Sequence, residues 1–114
     1  MIEQPHSEET LALIKEIERQ PSSTQRDLSV KVGISLGKTN YLIKELIKKG
    51  FIKASNFSSN SGKIKKIHYL LTTKGFNTKY RLVKEFLLTK EMEYNRLKDE
   101  LRRIIASRSQ GGKN

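Results

Sequence analysis

The stretch TQRDLSVKVGISLGKTNYLIKELIKKG, residues 24–50, decides the fold. Thr24 stands three residues before Asp27, a spacing that caps a helix start by reciprocal bonds between side chain and backbone. It predicts a short helix that carries Leu28 and Val32 inward and stops at Gly33. Glycine takes a left-handed turn there at little steric cost. Ser35 can cap a following helix that runs to about Lys49 and ends at Gly50 in the same way. At 100° per residue, Leu36, Thr39, Leu42, Ile43, Leu46 and Ile47 share one side of that helix. Gly37, Lys38, Asn40, Tyr41, Lys44 and Lys48 fall on or beside the other. Two helices joined by a tight glycine turn, the second with a basic polar outer face, make a helix-turn-helix.

Upstream, Ser7 to Arg19 reads as a helix with one apolar stripe of Leu11, Ile14 and Ile17, Leu13 beside them, and Ser7 as its N-cap. Pro21-Ser22-Ser23 turns the chain. Downstream, residues 51–55 form a short strand candidate, residues 56–62 a polar loop, and residues 63–71 a second strand with Ile67, Tyr69 and Leu71 on one face. Lys63, Lys65 and Lys66 cluster beside the loop. A hairpin directly after a helix-turn-helix is the wing of a winged helix. Thr72 can cap a last helix over residues 73–105. Its a positions are Tyr80, Leu87, Tyr94 and Leu101, and its d positions Val83, Lys90, Leu97 and Ile104. Such a regular pattern predicts a coiled-coil-like dimer interface; the alternative is that the stripe folds back onto the first helix. Lys90 is either a register device or a point of fraying. Phe76 and Tyr80 are expected to pack onto the small domain, and residues 106–114, without packing residues, to be disordered. The expected class is therefore mainly α (α+β). Residues 7–72 form a winged helix-turn-helix with a two-stranded wing, and one long C-terminal dimerisation helix follows.

Charge points to the partner. The net charge is +11, and residues 24–66 hold ten basic residues against Asp27 and Glu45, a net of +8. A basic segment of this kind favours an anionic partner such as nucleic acid. There is no cysteine, which excludes disulfides and Cys-ligated metal. No run of about 18 apolar residues is present, and the N-terminus lacks a secretory pattern. The expectation is a cytoplasmic protein with no membrane partner. No metal spacing, phosphate loop or nucleophile elbow is found, so no enzyme activity, metal or cofactor is expected. Gly37-Lys38-Thr39 carries the letters of a P-loop, but Val32 stands where that pattern needs its first glycine.

Residues 24–35 resemble the helix-turn-helix of MarR-type winged-helix regulators. Residues 33–41, Leu46-Ile47-Lys48-Lys49-Gly50 and Tyr69-Leu70-Leu71-Thr72-Thr73-Lys74-Gly75 are similar to the small MarR-type regulators associated with exopolysaccharide (EPS) gene clusters. The resemblance covers roughly residues 8–100. It implies a transcriptional regulator that binds double-stranded DNA as a homodimer. Ser29 replaces the family's usual Ala and Thr39 its usual Val or Ile, while lysines stand at the wing where Arg is common. Larger relatives add helices around a ligand crevice. This shorter chain carries no such signal, and any small-molecule effector stays unknown.

The expected chemistry follows. Asn40 offers a donor and an acceptor that suit adenine, and Lys38 and Lys44 can reach guanine or phosphate. Tyr41 can meet a phosphate or a thymine methyl, or pack on the wing instead. Gly37 either lets the helix approach the DNA backbone closely or is a tolerated helix residue. Thr24, Gln25 and Ser35 lie at helix N-termini, where free N–H groups favour phosphate. Lys63, Lys65 and Lys66 would follow the adjacent groove. Two other classes are open: a protein-interaction adaptor without specific DNA binding, and a non-specific or RNA-binding basic protein. The direction of helix pairing, the operator, the target genes and the sign of regulation are not legible.

Overall fold

In the computed structural model, which describes residues 6–58 and 65–111, helix α1 (Ser7–Arg19) opens the chain. Its N-cap is His6 in a left-handed conformation, φ 61°, with no side-chain cap bond, so Ser7 is the first helical residue rather than the cap. Leu13, Ile14 and Ile17 are buried on its inner face, and Leu11 is half-buried. Helix α2 (Gln25–Val32) starts with the expected reciprocal cap. Thr24 Oγ1 accepts from the Asp27 N–H at 3.0 Å, and Asp27 Oδ2 accepts from the Thr24 N–H at 3.1 Å. The Thr24 N–H, and after it the Thr24 side chain, favour the ionised form and hold the Asp27 carboxyl below its usual range. Gly33, at φ 78°, closes the helix through the left-handed turn.

Helix α3 (Leu36–Lys48) is capped by Ser35, whose Oγ accepts from the Lys38 N–H at 3.1 Å. It buries Thr39, Leu42, Ile43 and Leu46. Leu36 and Ile47, expected inward, are 45% and 40% exposed, because they stand at the margin of the buried arc. Ser29 and Thr39 are both buried yet satisfied. The Ser29 hydroxyl donates to the Arg26 carbonyl at 2.7 Å, and that of Thr39 to the Ser35 carbonyl at 2.9 Å. A buried hydroxyl with such a partner carries little penalty.

Strands β1 (Ile52–Ser58) and β2 (Lys65–Leu71) pair antiparallel, from Ile52 opposite Leu71 to Ser58 opposite Lys65. Residues 56–58, expected in the loop, belong to β1. Pairing with β2, from Asn56 opposite Ile67 to Ser58 opposite Lys65, draws them into the ladder despite their loop-like composition. β2 begins at Lys65; Lys63 lies outside the described residues. Leu13, Ile14 and Ile17 of α1, Leu28 of α2, the three apolar residues of α3, Ile52 and Tyr69 form one core, with Val32, Ile34, Phe51 and Leu71 against it.

Helix α4 (Thr73–Gly111) follows. Thr72 Oγ1 accepts from the Gly75 N–H at 3.0 Å, as the cap requires, and donates to the Gly50 carbonyl at 2.6 Å. The Thr72 N–H also donates to the Phe51 carbonyl at 3.1 Å. This clamp joins the start of α4 to the turn after α3. The chain divides into two units between Leu82 and Val83, so the first ten residues of α4 belong with residues 7–72 rather than apart from them. Gly75 and Leu82 are the residues that α4 buries there. Phe76 and Tyr80, expected to do this, are 54% and 63% exposed, because the cap geometry turns Gly75 inward instead. A Lys79–Glu18 ion pair links α4 to α1.

The second unit consists of α4 beyond Leu82. The helix runs to Gly111, six residues past the expected end, where a disordered tail was anticipated. Ala106, Arg108 and Gln110 have good helix propensity, and a helix already under way extends at little cost. Val83, Leu87, Tyr94, Leu97, Leu101 and Ile104 of the expected seam are exposed, as are Leu88, Met92 and Ile105. Lys90 pairs along its own helix with Glu93 at 3.7 Å.

Candidate nucleic-acid interface

The outer face of α3 is built by its own buried stripe. Burying Thr39, Leu42, Ile43 and Leu46 turns Gly37, Tyr41, Lys44 and Lys48 to the opposite side, one to each turn of the helix. Tyr41 is 55% exposed, and Lys44 and Lys48 are exposed. Tyr41 borders a cavity of about 340 Å³ whose walls include Thr10, Glu45, Phe51 and Leu82. Gly37 faces open space: a Cβ added there would meet no atom within 4 Å. Nothing in the fold therefore requires glycine at this position, although glycine costs a helix up to about 1 kcal/mol relative to alanine. Lys48 completes the face and was absent from the sequence-level site. Its spacing of four from Lys44 was the available signal.

Two expected contacts are engaged within the protein. Lys38 Nζ meets Glu9 Oε2 of α1 at 2.7 Å. The Lys38 ammonium, with a smaller contribution from His6, holds the Glu9 carboxyl below its usual range. Asn40, half-buried at the other margin of the face, donates from Nδ2 to Gln25 Oε1 at 3.0 Å. Gln25 Nε2 in turn donates to the Tyr69 hydroxyl at 3.2 Å. Gln25 thus joins α2, α3 and the wing strand, a role that sequence reasoning missed because its partners lie 15 and 44 residues away.

The helix starts differ in what they offer an anion. At α2 the Thr24 N–H and the Asp27 N–H are both used internally, and a carboxylate stands beside them. At α3 the first turn carries no acid, so the partial positive charge of the helix end is not offset. Lys65 and Lys66 lie on β2, next to the end of the hairpin, in register with Ser58 and Phe57. Among the described residues no group of His, Cys, Asp or Glu could hold a metal, and no helix is long and apolar enough to cross a membrane.

Residues 10–53, from α1 to the start of the wing, match the family described as winged helix-turn-helix DNA-binding. The first unit is a winged helix-turn-helix. Solved structures carry the same fold. A PadR-like transcriptional regulator from Bacillus cereus is 19% identical, with a TM-score of 0.67 over 77% of this chain and 89% of that one. The PcaV transcriptional regulator from Streptomyces coelicolor, solved with its natural ligand, is 16% identical, with a TM-score of 0.59 over 83% and 71%. FabT from Streptococcus pneumoniae, solved in complex with DNA, is 25% identical, with a TM-score of 0.51 over 74% of this chain and 56% of that one. No curated protein matches the sequence. Likeness at these identities concerns the winged-helix fold, and the chemistry of this chain rests on its own residues.

Proposed function

We propose that the protein is a transcriptional regulator that binds double-stranded DNA sequence-specifically as a homodimer, with α3 in the major groove. The observation that carries this is the free outer face of α3, where Gly37, Tyr41, Lys44 and Lys48 are turned away from the core inside a segment of net charge +8. Phosphate contacts from Lys44, Lys48 and the wing residues Lys63, Lys65 and Lys66 supply affinity, and base-edge contacts from Asn40 supply sequence preference. Lys38 joins them by exchanging Glu9 for a phosphate. Tyr41 lies on this face, and Thr24, Gln25 and Ser35 stand at the starts of α2 and α3. The exposed seam of α4 joins two copies, which sets the spacing of two half-sites. The resemblance of residues 33–41 and 69–75 to EPS-associated MarR-type regulators makes exopolysaccharide genes the proposed targets, and the cytoplasm the place of action.

Mobility shift against duplexes from the protein's own gene neighbourhood tests this reading. One fragment should bind well above the rest at physiological salt, and equal affinity for all would overturn it. Lys44→Ala should weaken binding by a similar factor on every sequence and lower the slope of log affinity against log salt by about 1 per subunit. Gly37→Ala should move two readouts in opposite directions. Thermal stability should rise, by up to about 1 kcal/mol, through helix propensity. DNA affinity should fall, because the new methyl fills the space into which the backbone approaches. An alanine variant that binds DNA as well as the native chain would show that Gly37 is only a tolerated residue.

A further inference from the structure

The Glu9 carboxylate is held by two donors, one on each oxygen. Lys38 Nζ of α3 meets Oε2 at 2.7 Å, and His6 Nδ1, at the start of α1, donates to Oε1 at 3.1 Å. Both donors border the recognition face. Lys38 directly follows Gly37 on α3, and His6 lines the same cavity as Tyr41. The first turn of α3 carries no acid of its own, so the anion that Lys38 meets comes from another helix. We propose that Lys38 and His6 form a phosphate site, and that Glu9 occupies it in the DNA-free protein as an internal competitor that DNA displaces. The inference rests on the DNA-binding reading above. It adds His6 to the contacts and assigns Lys38 to phosphate rather than to guanine.

A carboxylate and a phosphate make the same demand, charge-assisted hydrogen bonds to anionic oxygens. A pair of donors that holds one can hold the other. The exchange needs no backbone movement, because an ammonium on a flexible four-carbon stem can leave one oxygen for another nearby. Leaving Glu9 costs little. The Lys38 and Glu9 side chains are 35% and 28% exposed, and an ion pair within reach of water shifts an equilibrium by at most about fivefold. A duplex phosphate adds the release of condensed counterions, which Glu9 cannot match. After the exchange the Glu9 charge stands uncompensated beside a phosphate, whatever the base sequence. Glu9 therefore lowers affinity for every duplex alike, and leaves base preference to the outer face of α3.

The test has two arms on the full-length protein. The DNA-free arm titrates inorganic phosphate and follows the Lys38 ammonium and the His6 ring by NMR. In Glu9→Gln both should shift together and saturate, whereas the native chain should need severalfold more phosphate. Equal responses in the two proteins overturn the competition, whether or not the protein binds DNA. The DNA arm measures duplex affinity at physiological salt. Glu9→Gln should bind specific and random duplexes about fivefold more tightly, by the same factor on each. The control is Glu8→Gln, which removes an exposed charge one position away on α1. A double-mutant cycle with Lys38→Met then isolates the exchange. Lys38→Met should cost about threefold more in the Glu9→Gln background than in the native chain, because there the ammonium gives up no partner to reach phosphate. In that background it should also lower the slope of log affinity against log salt by about 0.9 per subunit. Glu8→Gln and Lys38→Met should combine additively. His6→Ala in the Glu9→Gln background should weaken binding to every duplex. Additivity between Glu9→Gln and Lys38→Met, or a His6→Ala variant that binds as well as its parent, overturns the proposal. If no variant binds DNA, the DNA-binding reading fails, and the phosphate titration still judges the site.

Discussion

Gly75→Ala should destabilise the first unit by about 3 kcal/mol or more, enough to leave much of a small domain unfolded near physiological temperature. A Cβ at position 75 would stand 2.0 Å from the Phe51 carbonyl oxygen, 2.8 Å from its carbon and 2.6 Å from Leu71 Cδ1. Leu71 could rotate away. The Phe51 carbonyl could not, since it is backbone and already accepts from the Thr72 N–H at 3.1 Å. The start of α4 would have to lift off the turn after α3. That would break the Thr72 clamp and expose Leu82, which is buried. Overpacking of this kind commonly costs about 1–3 kcal/mol, and more when the obstacle is backbone. Urea unfolding followed by circular dichroism measures it. Gly37→Ala is the internal control, because the same substitution there meets open space. A Gly75→Ala midpoint indistinguishable from that of the native chain would mean that α4 does not start against Phe51.

Leu87→Glu combined with Leu97→Glu should convert a dimer into a monomer and lower affinity for a two-half-site duplex by about 100-fold or more. Both leucines are exposed on α4, one at an a position and one at a d position of the same stripe. In a paired helix they would be among the side chains that leave water, so a carboxylate there would lose hydration without gaining a partner. Loss of pairing makes the two half-site contacts independent, and the gain from linking two binding modules is typically 10²–10⁴. Light scattering should give twice 13.1 kDa for the native chain and 13.1 kDa for the variant. Binding to a single half-site should change far less. A native monomer, or a variant that stays dimeric, would remove the seam from the proposal.

Much of this protein was legible without coordinates, and the reason is locality. The cap of α2 depends on Thr24 and Asp27, three residues apart, and the turn at Gly33 on that residue's own freedom at φ 78°. Burial of Leu42, Ile43 and Leu46 follows from a period that one helix sets for itself. Once that stripe faces inward, the outward face of Gly37, Tyr41 and Lys44 is implied. Other features needed the folded chain, because each depends on a meeting between residues distant in sequence. Residues 56–58 become strand because β2 lies beside them. Gly75 has no room for a side chain because Phe51 approaches it. Lys38 is held by Glu9, 29 positions away, and Asn40 by Gln25 and Tyr69 from two further elements. A helix's period tells which side chains face out. Which of them are already held by neighbours, and in what orientation, is set by the packing of one element on another.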